Sequence, residues 1–173
     1  MIKKPNSGNG WVDKYVALVP EESLIEGLKR QTQESLVLLS SLSDEQLNFR
    51  YAEGKWTIKE IILHLVDTER IFTYRALAFA RKDPNALPGF DENIYAANSH
   101  ANDRDIKNLL EEYIVVRTCT VATFSGFPES ALECRGTANN IDMCVAALGF
   151  AICGHEIHHI NIIQERYLTI RSN

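Results

Sequence analysis

The chain has 173 residues, enough for one hydrophobic core and few for two, so we expect a single domain spanning residues 1–173. Its formal net charge is -5, and no basic run indicates nucleic acid or a membrane surface as a partner. No apolar stretch reaches the length of a signal peptide or a membrane span, and the four cysteines lack CxxC spacing. These features predict a cytoplasmic protein with reduced cysteines.

The first twenty residues contain two prolines and two glycines and show no long periodic pattern, so residues 1–20 are predicted to form an N-terminal arm. Trp11, Tyr15 and Val16 are the side chains that would hold this arm against the domain. The first helix is predicted over residues 21–42, because apolar residues recur there at helical spacing and acidic residues favour the helix start.

The second helix is predicted to begin at Thr57, after a connector with a possible short turn at residues 44–47. Thr57 and Glu60 fit a capping box, in which each side chain bonds a backbone amide of the first turn. His64 then falls on the apolar face of this helix. Residues 82–102 contain two prolines, a glycine and several asparagines, and a loop of this length in a small domain is usually functional. We therefore expect a lid.

Two further helices complete the predicted fold. The third is expected over residues 104–124, and the fourth over residues 141–170, with Asn139 or Asn140 as its cap. Four helices without strand alternation favour an all-α four-helix bundle, in up-down-down-up or up-down-up-down order. The long crossover would join helices two and three.

The histidines are the strongest candidates for chemistry. His155 and His159 lie one turn apart on the apolar face of the fourth helix, a spacing that suits two ligands of one cation. With His64 they would form a three-histidine site for a divalent metal ion that leaves one position open for water. The alternative is that each is a core histidine with ordinary hydrogen bonds. His158 points about 100° away from His159 and is expected at the rim or a partner interface.

The same stretch also matches the HExxH pattern of zinc peptidases, in which Glu156 would activate water. Metzincins need glycine at Ile162 and histidine at Glu165, so this alternative is disfavoured. A di-iron carboxylate bundle needs two Glu-x-x-His pairs, and the chain offers only Glu156 with His159. Glu156 is nevertheless kept as a catalytic candidate.

Four charged residues are secondary candidates, each with a plainer alternative. Asp91 in the lid could act as a catalytic carboxylate over the metal, or it could be a solvated loop acid. Asp67 could orient the His64 ring or pair with an arginine. Arg75 and Arg166 could bind an anionic group of a substrate or cofactor, or they could hold the bundle together.

Several motifs together resemble the DinB/YfiT-like family of metal-dependent enzymes over nearly the whole chain from Trp11. They are GKWTIKE at residues 54–60, HLVDTER at 64–70, YRAL at 74–77, PGFD at 88–91, GHEIHHI at 154–160 and ERYL at 165–168. The resemblance implies a four-helix bundle, often a homodimer, with nickel or zinc held by three histidines. Those ligands fall on His64, His155 and His159.

Relatives in the wider superfamily include thiol S-transferases that use bacillithiol or mycothiol, a mycothiol-dependent isomerase and hydrolases. The resemblance therefore implies an enzyme that activates a thiol or water at a metal and acts on a small molecule. A low-molecular-weight thiol is a possible second cofactor. The competing hypothesis is a non-catalytic bundle stapled by its metal, acting in a stress response or in partner binding.

Overall fold

The computed structural model describes residues 4–5, 9–20 and 22–169. These residues are mostly helical, with four long helices (α2, α4, α6 and α8), four short ones and one β-hairpin. In chain order the α-helices and strands are α1 (Gly10–Val16), α2 (Leu24–Ser40), α3 (Asp44–Leu47), α4 (Ile58–Ala80), α5 (Glu92–Ala97), α6 (Ile106–Ser125), α7 (Glu129–Leu132), β1 (Arg135–Ala138), β2 (Ile141–Cys144) and α8 (Val145–Ile162). A 3₁₀ turn (Ala101–Asp103) precedes α6, and a π-helical segment (Ile163–Leu168) continues α8.

The helix starts follow from local hydrogen bonding. The Thr57 hydroxyl accepts a hydrogen bond from the Glu60 amide, and the Glu60 carboxylate accepts one from the Thr57 amide. The predicted capping box of α4 is therefore confirmed, and Ser43 with Gln46 forms a second one at α3. Each box satisfies amides that would otherwise lack partners at a helix start.

The long helices bury two apolar clusters between them. α4 and α8 pack against each other, α6 packs on α4 and α2, and α2 also packs on α8. One cluster gathers residues of α1, α2, α4, α8 and the hairpin, and the other gathers residues of α3, α4, α6 and the end of the chain. Because α4 and α8 share a long contact, side chains on their facing surfaces are brought together in the interior.

The N-terminal arm contains a helix that the sequence pattern did not predict. α1 is capped by the Asn9 side chain, which accepts hydrogen bonds from the amides of Trp11 and Val12. It packs on α8, with Tyr15 and Val16 buried. Seven residues give too few turns for helical periodicity to stand out in the sequence. The predicted helix ends at Glu21 and Ile170 lie outside the described residues.

The expected start of the fourth helix at Ile141 is wrong, because that residue lies in a β-hairpin. β1 and β2 pair antiparallel, and Asn139 and Asn140 form the turn between them with φ angles of 52° and 60°. A two-residue hairpin turn of this kind needs positive φ at both positions, which asparagine tolerates. The two asparagines therefore turn the hairpin instead of capping α8, and the fold is mostly helical but not all-α.

The lid predicted over residues 82–102 contains a short helix and a backbone attachment to the hairpin. Asp91 caps α5 by accepting hydrogen bonds from the amides of Asn93 and Ile94. Ahead of that helix, Leu87 exchanges backbone hydrogen bonds with the hairpin, donating to Thr137 and accepting from Asn139.

Among the described helices, none combines the length and apolarity that a membrane crossing requires.

Gly154 is the point of closest approach between α1 and α8. A Cβ atom at this position would lie 1.9 Å from the backbone oxygen of Tyr15, so Gly154→Ala must push α1 away. Alanine would favour the helix by about 1 kcal/mol, whereas overpacking costs up to about 3 kcal/mol. We expect the free energy of unfolding, measured by urea titration, to fall by about 2 kcal/mol.

The matched control is Gly126→Ala, where the nearest atoms to a new Cβ lie 3.4 Å away. Its free energy of unfolding should stay unchanged or rise by up to about 1 kcal/mol. Equal stability of the two variants would contradict the close approach of α1.

Candidate metal centre

Three histidines converge where α4 faces α8. The Nε2 atom of His155 lies 3.1 Å from the Nε2 atom of His64 and 3.1 Å from that of His159. Among the described residues these three form a group whose possible ligand atoms all lie within 4.8 Å of one another. The structure thus brings together the trio that helical spacing singled out.

Aromatic residues hold these rings in place. The ring centroid of Trp56, just before the α4 cap, lies 4.7 Å from that of His64. Tyr15 of α1 meets His155 edge-on at 5.4 Å. Because α1 supplies one wall and the α4 cap another, the histidine rings are confined by segments that are far apart in sequence.

Burial keeps the imidazoles neutral. It lowers the pKa of His64 from 6.5 to about 4. Burial, with the nearby charges of His64 and His158, lowers the pKa of His159 to about 3. Burial first and the neighbouring histidines second hold the pKa of His155 well below its ordinary value. Neutral imidazole is the form that binds a metal ion, so the trio is ready for coordination near pH 7.

The donor set fits a divalent transition-metal ion. Nitrogen ligands at 2.0–2.1 Å from a tetrahedral ion would be about 3.3 Å apart, close to the two distances of 3.1 Å observed here. Without an ion, three neutral rings can share few hydrogen bonds among nitrogens that face one another. A cation between the three Nε2 atoms would give each of them a partner that the neighbouring rings cannot all supply.

A cavity of about 370 Å³ opens beside the three histidines. Its walls combine aromatic residues with a few charged ones, and the lid contributes Phe90 and Glu92. His158 also lines it and contacts the rings of Tyr15 and His159, which agrees with its expected place at the rim. The other lining residues are Trp11, Lys14, Tyr15, Trp56, Thr68, Phe72, Arg75 and Asn139. The site is therefore open to a small molecule.

Glu156 lies outside this cavity, in a buried network of ion pairs. Its carboxylate accepts hydrogen bonds from Ser35, from Tyr113 at 2.6 Å and from the guanidinium of Arg117. Arg117 also forms a two-point ion pair with Glu69, with both nitrogen–oxygen distances at 2.8 Å. This placement speaks against the water-activating role that the HExxH spacing suggested for Glu156, because the carboxylate already has three donors.

Of the four charged secondary candidates, the structure places Arg75 at the cavity beside the histidines. Asp91 is exposed and caps α5, and Arg166 is exposed and donates to the Tyr51 hydroxyl at 3.2 Å. Neither lines the cavity beside the histidines. Asp67 lies 3.5 Å from Arg70, and burial raises its carboxyl pKa. Arg75, in contrast, is buried and lines the cavity.

Several cavity residues were not singled out as site residues in the sequence. Trp11, Lys14 and Tyr15 come from α1, and their spacing of three and four residues is the only sign that they share a helix face. Thr68 follows His64 by one turn of α4, so helical spacing could have found it. Its hydroxyl is buried without a partner among the described residues.

Comparison with known proteins gives a match to one family. The sequence profile of the DinB superfamily matches residues 28–163. The chain is 32% identical over 65 residues to a "Putative metal-dependent hydrolase" of Oceanobacillus iheyensis, covering 37% of each chain. It is 31% identical over 85 residues to a protein of the same description from Geobacillus thermodenitrificans, covering 48% of each chain. The matches thus span less than half of these curated relatives.

A solved structure shares the fold. YfiT from Bacillus subtilis, described as a probable metal-dependent hydrolase with an unusual four-helix bundle topology, matches with a TM-score of 0.70. The match covers 97% of this chain and 93% of YfiT at 16% sequence identity. At that identity the likeness concerns the fold alone. The resemblance drawn from the sequence motifs is confirmed at the level of the family.

The depressed histidine pKa values predict acid sensitivity of the chelator-treated protein. Below pH 6.5 the unfolded chain binds a proton at His64, whereas the folded chain does so only near pH 4. Stability is therefore lost as the pH falls through this window, by on the order of 3 kcal/mol for His64 alone, since one pKa unit corresponds to about 1.4 kcal/mol.

Urea unfolding at pH 7.0, 5.5 and 4.5 measures this loss. His64→Gln cannot titrate and should shrink it, while His100→Gln at an exposed position should leave it unchanged. An equal loss in the wild type and in His64→Gln would contradict the proposed burial of a neutral ring.

The Glu156 network predicts a structural defect in Glu156→Gln. The substitution removes a buried charge that faces Arg117, so the free energy of unfolding should fall by about 3 kcal/mol while metal content is unchanged. Glu165→Gln, at an exposed position of the same helical segment, should shift stability by less than about 0.5 kcal/mol. Full stability of Glu156→Gln together with lost turnover would restore the catalytic interpretation.

Proposed function

The chain belongs to the DinB superfamily, and from this membership we propose that it is a metal-dependent enzyme of the hydrolase type. The single observation that carries the proposal is the convergence of three neutral imidazoles at the wall of an open cavity. A purely structural metal site would be closed off by a complete set of protein ligands. A cavity beside the trio leaves room for a substrate.

His64, His155 and His159 would hold the ion, and neutral imidazole donors suit either zinc or nickel. A bound divalent ion supplies Lewis acidity, which polarises a carbonyl or phosphoryl oxygen and lowers the pKa of water. The protein contributes the remaining conditions. Trp56 and Tyr15 pack against the histidine rings and orient them, and the lid residue Phe90 adds an apolar side chain to the cavity wall.

Thiol transfer is a second candidate function, supported by the motif resemblance. The same cavity could receive a low-molecular-weight thiol, whose deprotonation a metal ion favours. A non-catalytic bundle, in which the ion only joins α4 to α8, is the third candidate. The cavity favours the catalytic candidates over this one.

We also propose the up-down-down-up order for the long helices. It is supported by contacts that advance together along α4 and α6, from Glu69 with Arg117 to Thr73 with Thr120. Helices that run in the same direction need a long connection, which the segment between α4 and α6 supplies. A homodimer and a cytoplasmic location are further proposals, the first supported by the resemblance and the second by a sequence without CxxC spacing.

His155→Ala tests the metal site directly. Purified wild-type protein loaded with zinc or nickel should carry about one ion per chain by elemental analysis, and His155→Ala should carry almost none, because two ligands hold a divalent ion poorly. Hydrolysis of a panel of esters and amides should fall in parallel. His158→Ala, three residues further on α8, should keep its metal.

The same preparations separate the candidate functions. Turnover of esters or amides without added thiol supports hydrolysis, and turnover only with added thiol would replace hydrolysis by thiol transfer. Bound metal without any turnover would favour the structural role. Equal metal content in wild type and His155→Ala would refute the site itself.

Asp91→Asn should leave turnover within about twofold, because Asp91 is exposed and already caps α5.

A further inference from the structure

We propose that the cavity beside the histidines binds a small substrate through a carboxylate, which pairs with the buried guanidinium of Arg75. The proposal rests on the proposed function for the reaction at the histidines and names the substrate class: a small ester or amide with a carboxylate at its other end. The anion site itself is defined by Arg75 and does not depend on the metal.

Arg75 is a buried cation with few partners. Its side chain is 5% exposed, and its guanidinium donates one hydrogen bond, at 2.9 Å, to the backbone oxygen of Pro88. It also lies 5.5 Å from the ring centroid of Phe72 and 6.0 Å from that of Phe90. In the described part of the chain, no carboxylate lies within 4.0 Å of it.

Burying a guanidinium without a counterion costs free energy, because the charge loses its hydration. A guanidinium has five N–H donors in a planar fork, and a protein acceptor is present for one of them among the described residues. Burial is accordingly what lowers the pKa of Arg75, with no nearby anion to oppose it. Arg117, which is also buried, has two carboxylate partners, Glu69 and Glu156, and so its charge is neutralised within the core.

The rings of Phe72 and Phe90, which lie beside the Arg75 guanidinium, line the same cavity as the histidines. Arg75 lines this cavity, so a ligand that enters it can reach the guanidinium. The lining carboxylate, Glu92, is exposed on the lid and makes no ion pair with Arg75. Lys14, the other lining cation, is exposed and lies over the rings of Trp11 and Tyr15. With neutral histidines the cavity therefore attracts anions.

The spacing along α4 indicates the shape of the ligand. His64, Thr68, Phe72 and Arg75 recur at intervals of four, four and three residues, so they share one face of the helix. Eleven residues separate the Cα atoms of His64 and Arg75 by about 16 Å at 1.5 Å per residue. Both residues line the same cavity, as do Thr68 and Phe72 between them. A ligand with a reacting carbonyl at one end and an anion at the other would bridge them.

A planar carboxylate matches the guanidinium fork in two parallel hydrogen bonds, which makes it the preferred anion. Aromatic walls from Trp11, Tyr15, Trp56 and Phe90 would pack against the hydrocarbon part of the ligand. A volume of about 370 Å³ suits a small molecule and excludes a folded polypeptide. The substrate class is therefore a short acyl compound with one free carboxylate.

Tryptophan fluorescence provides the binding assay. The chain has two tryptophans, Trp11 and Trp56, and both line the cavity, so their emission reports on its occupancy. The full chain is titrated with monomethyl glutarate, with dimethyl glutarate and with inorganic phosphate, both metal-loaded and after chelation. In the chelated protein, where no ester is turned over and no metal can bind phosphate, we expect monomethyl glutarate to bind more tightly than the other two ligands.

Arg75→Met keeps the packing of the side-chain stem and removes the charge. It should weaken monomethyl glutarate binding on the order of 10- to 100-fold, the range for a hydrogen bond to a charged group. Arg75→Lys keeps the charge without the fork and should fall between Met and wild type. Arg81→Met, at an exposed arginine just after the end of the same helix, should bind like wild type. Thermal unfolding confirms that each variant is folded.

The outcomes separate the two proposals. If metal-loaded protein hydrolyses both esters and Arg75→Met affects neither binding nor turnover, Arg75 only holds the lid through Pro88 and the inference is overturned. Tighter binding of phosphate than of monomethyl glutarate would overturn the carboxylate assignment. If monomethyl glutarate binds through Arg75 but no ester or amide is turned over, the anion site stands and the hydrolase proposal fails.

Discussion

One buried guanidinium connects all four long helices. Arg117 projects from α6 and contacts Glu69 of α4, Glu156 of α8, and the Leu28 carbonyl with the Thr32 hydroxyl of α2. Because the arginine and both carboxylates are almost fully buried, removing any one of them leaves a charge without its partner in a region of low dielectric constant. The network therefore fixes how far α4 and α8 are shifted along each other.

That shift decides whether the candidate site exists. Glu69 lies five residues after His64 on α4, and Glu156 directly follows His155 on α8. A slip of one turn between the two helices would separate the imidazoles by about 5 Å, too far for a shared ion. A void of about 10 Å³ lies between the network and the histidines, bordered by Thr68 and His155, so the two clusters are close neighbours. The ion-pair network around Arg117 and the three candidate metal ligands therefore lie next to each other where α4 faces α8.

The parts that the sequence predicted well rest on interactions within one helix. The capping box of Thr57 and Glu60 and the one-turn spacing of His155 and His159 are local, so residue types at fixed intervals reveal them. His64 required one further assumption, that the apolar faces of two helices meet. The family motifs supported that assumption.

What escaped prediction depends on contacts between distant segments. The strands of the hairpin have four residues each, and the Asn139–Asn140 turn resembles a helix cap in sequence. The role of Glu156 depends on Arg117, whose position on α6 no spacing rule relates to α8. The walls of the cavity come from α1, α4, α8 and the lid, and only packing brings them together.

The attachment of the lid to the hairpin has a mechanical consequence. Leu87 is joined to the hairpin by two backbone hydrogen bonds, and a Cβ atom at Gly89 would collide with the Asn139 side chain at 2.3 Å. The upstream end of the segment is thus clamped, while α5 is largely exposed further along. The downstream end is held too, because Ala101 is buried and Asn102 hydrogen bonds with Thr57 and Glu60 at the start of α4. The roof over the cavity is therefore fixed at both ends, and any widening of the entrance falls to the exposed residues between Gly89 and Ala101.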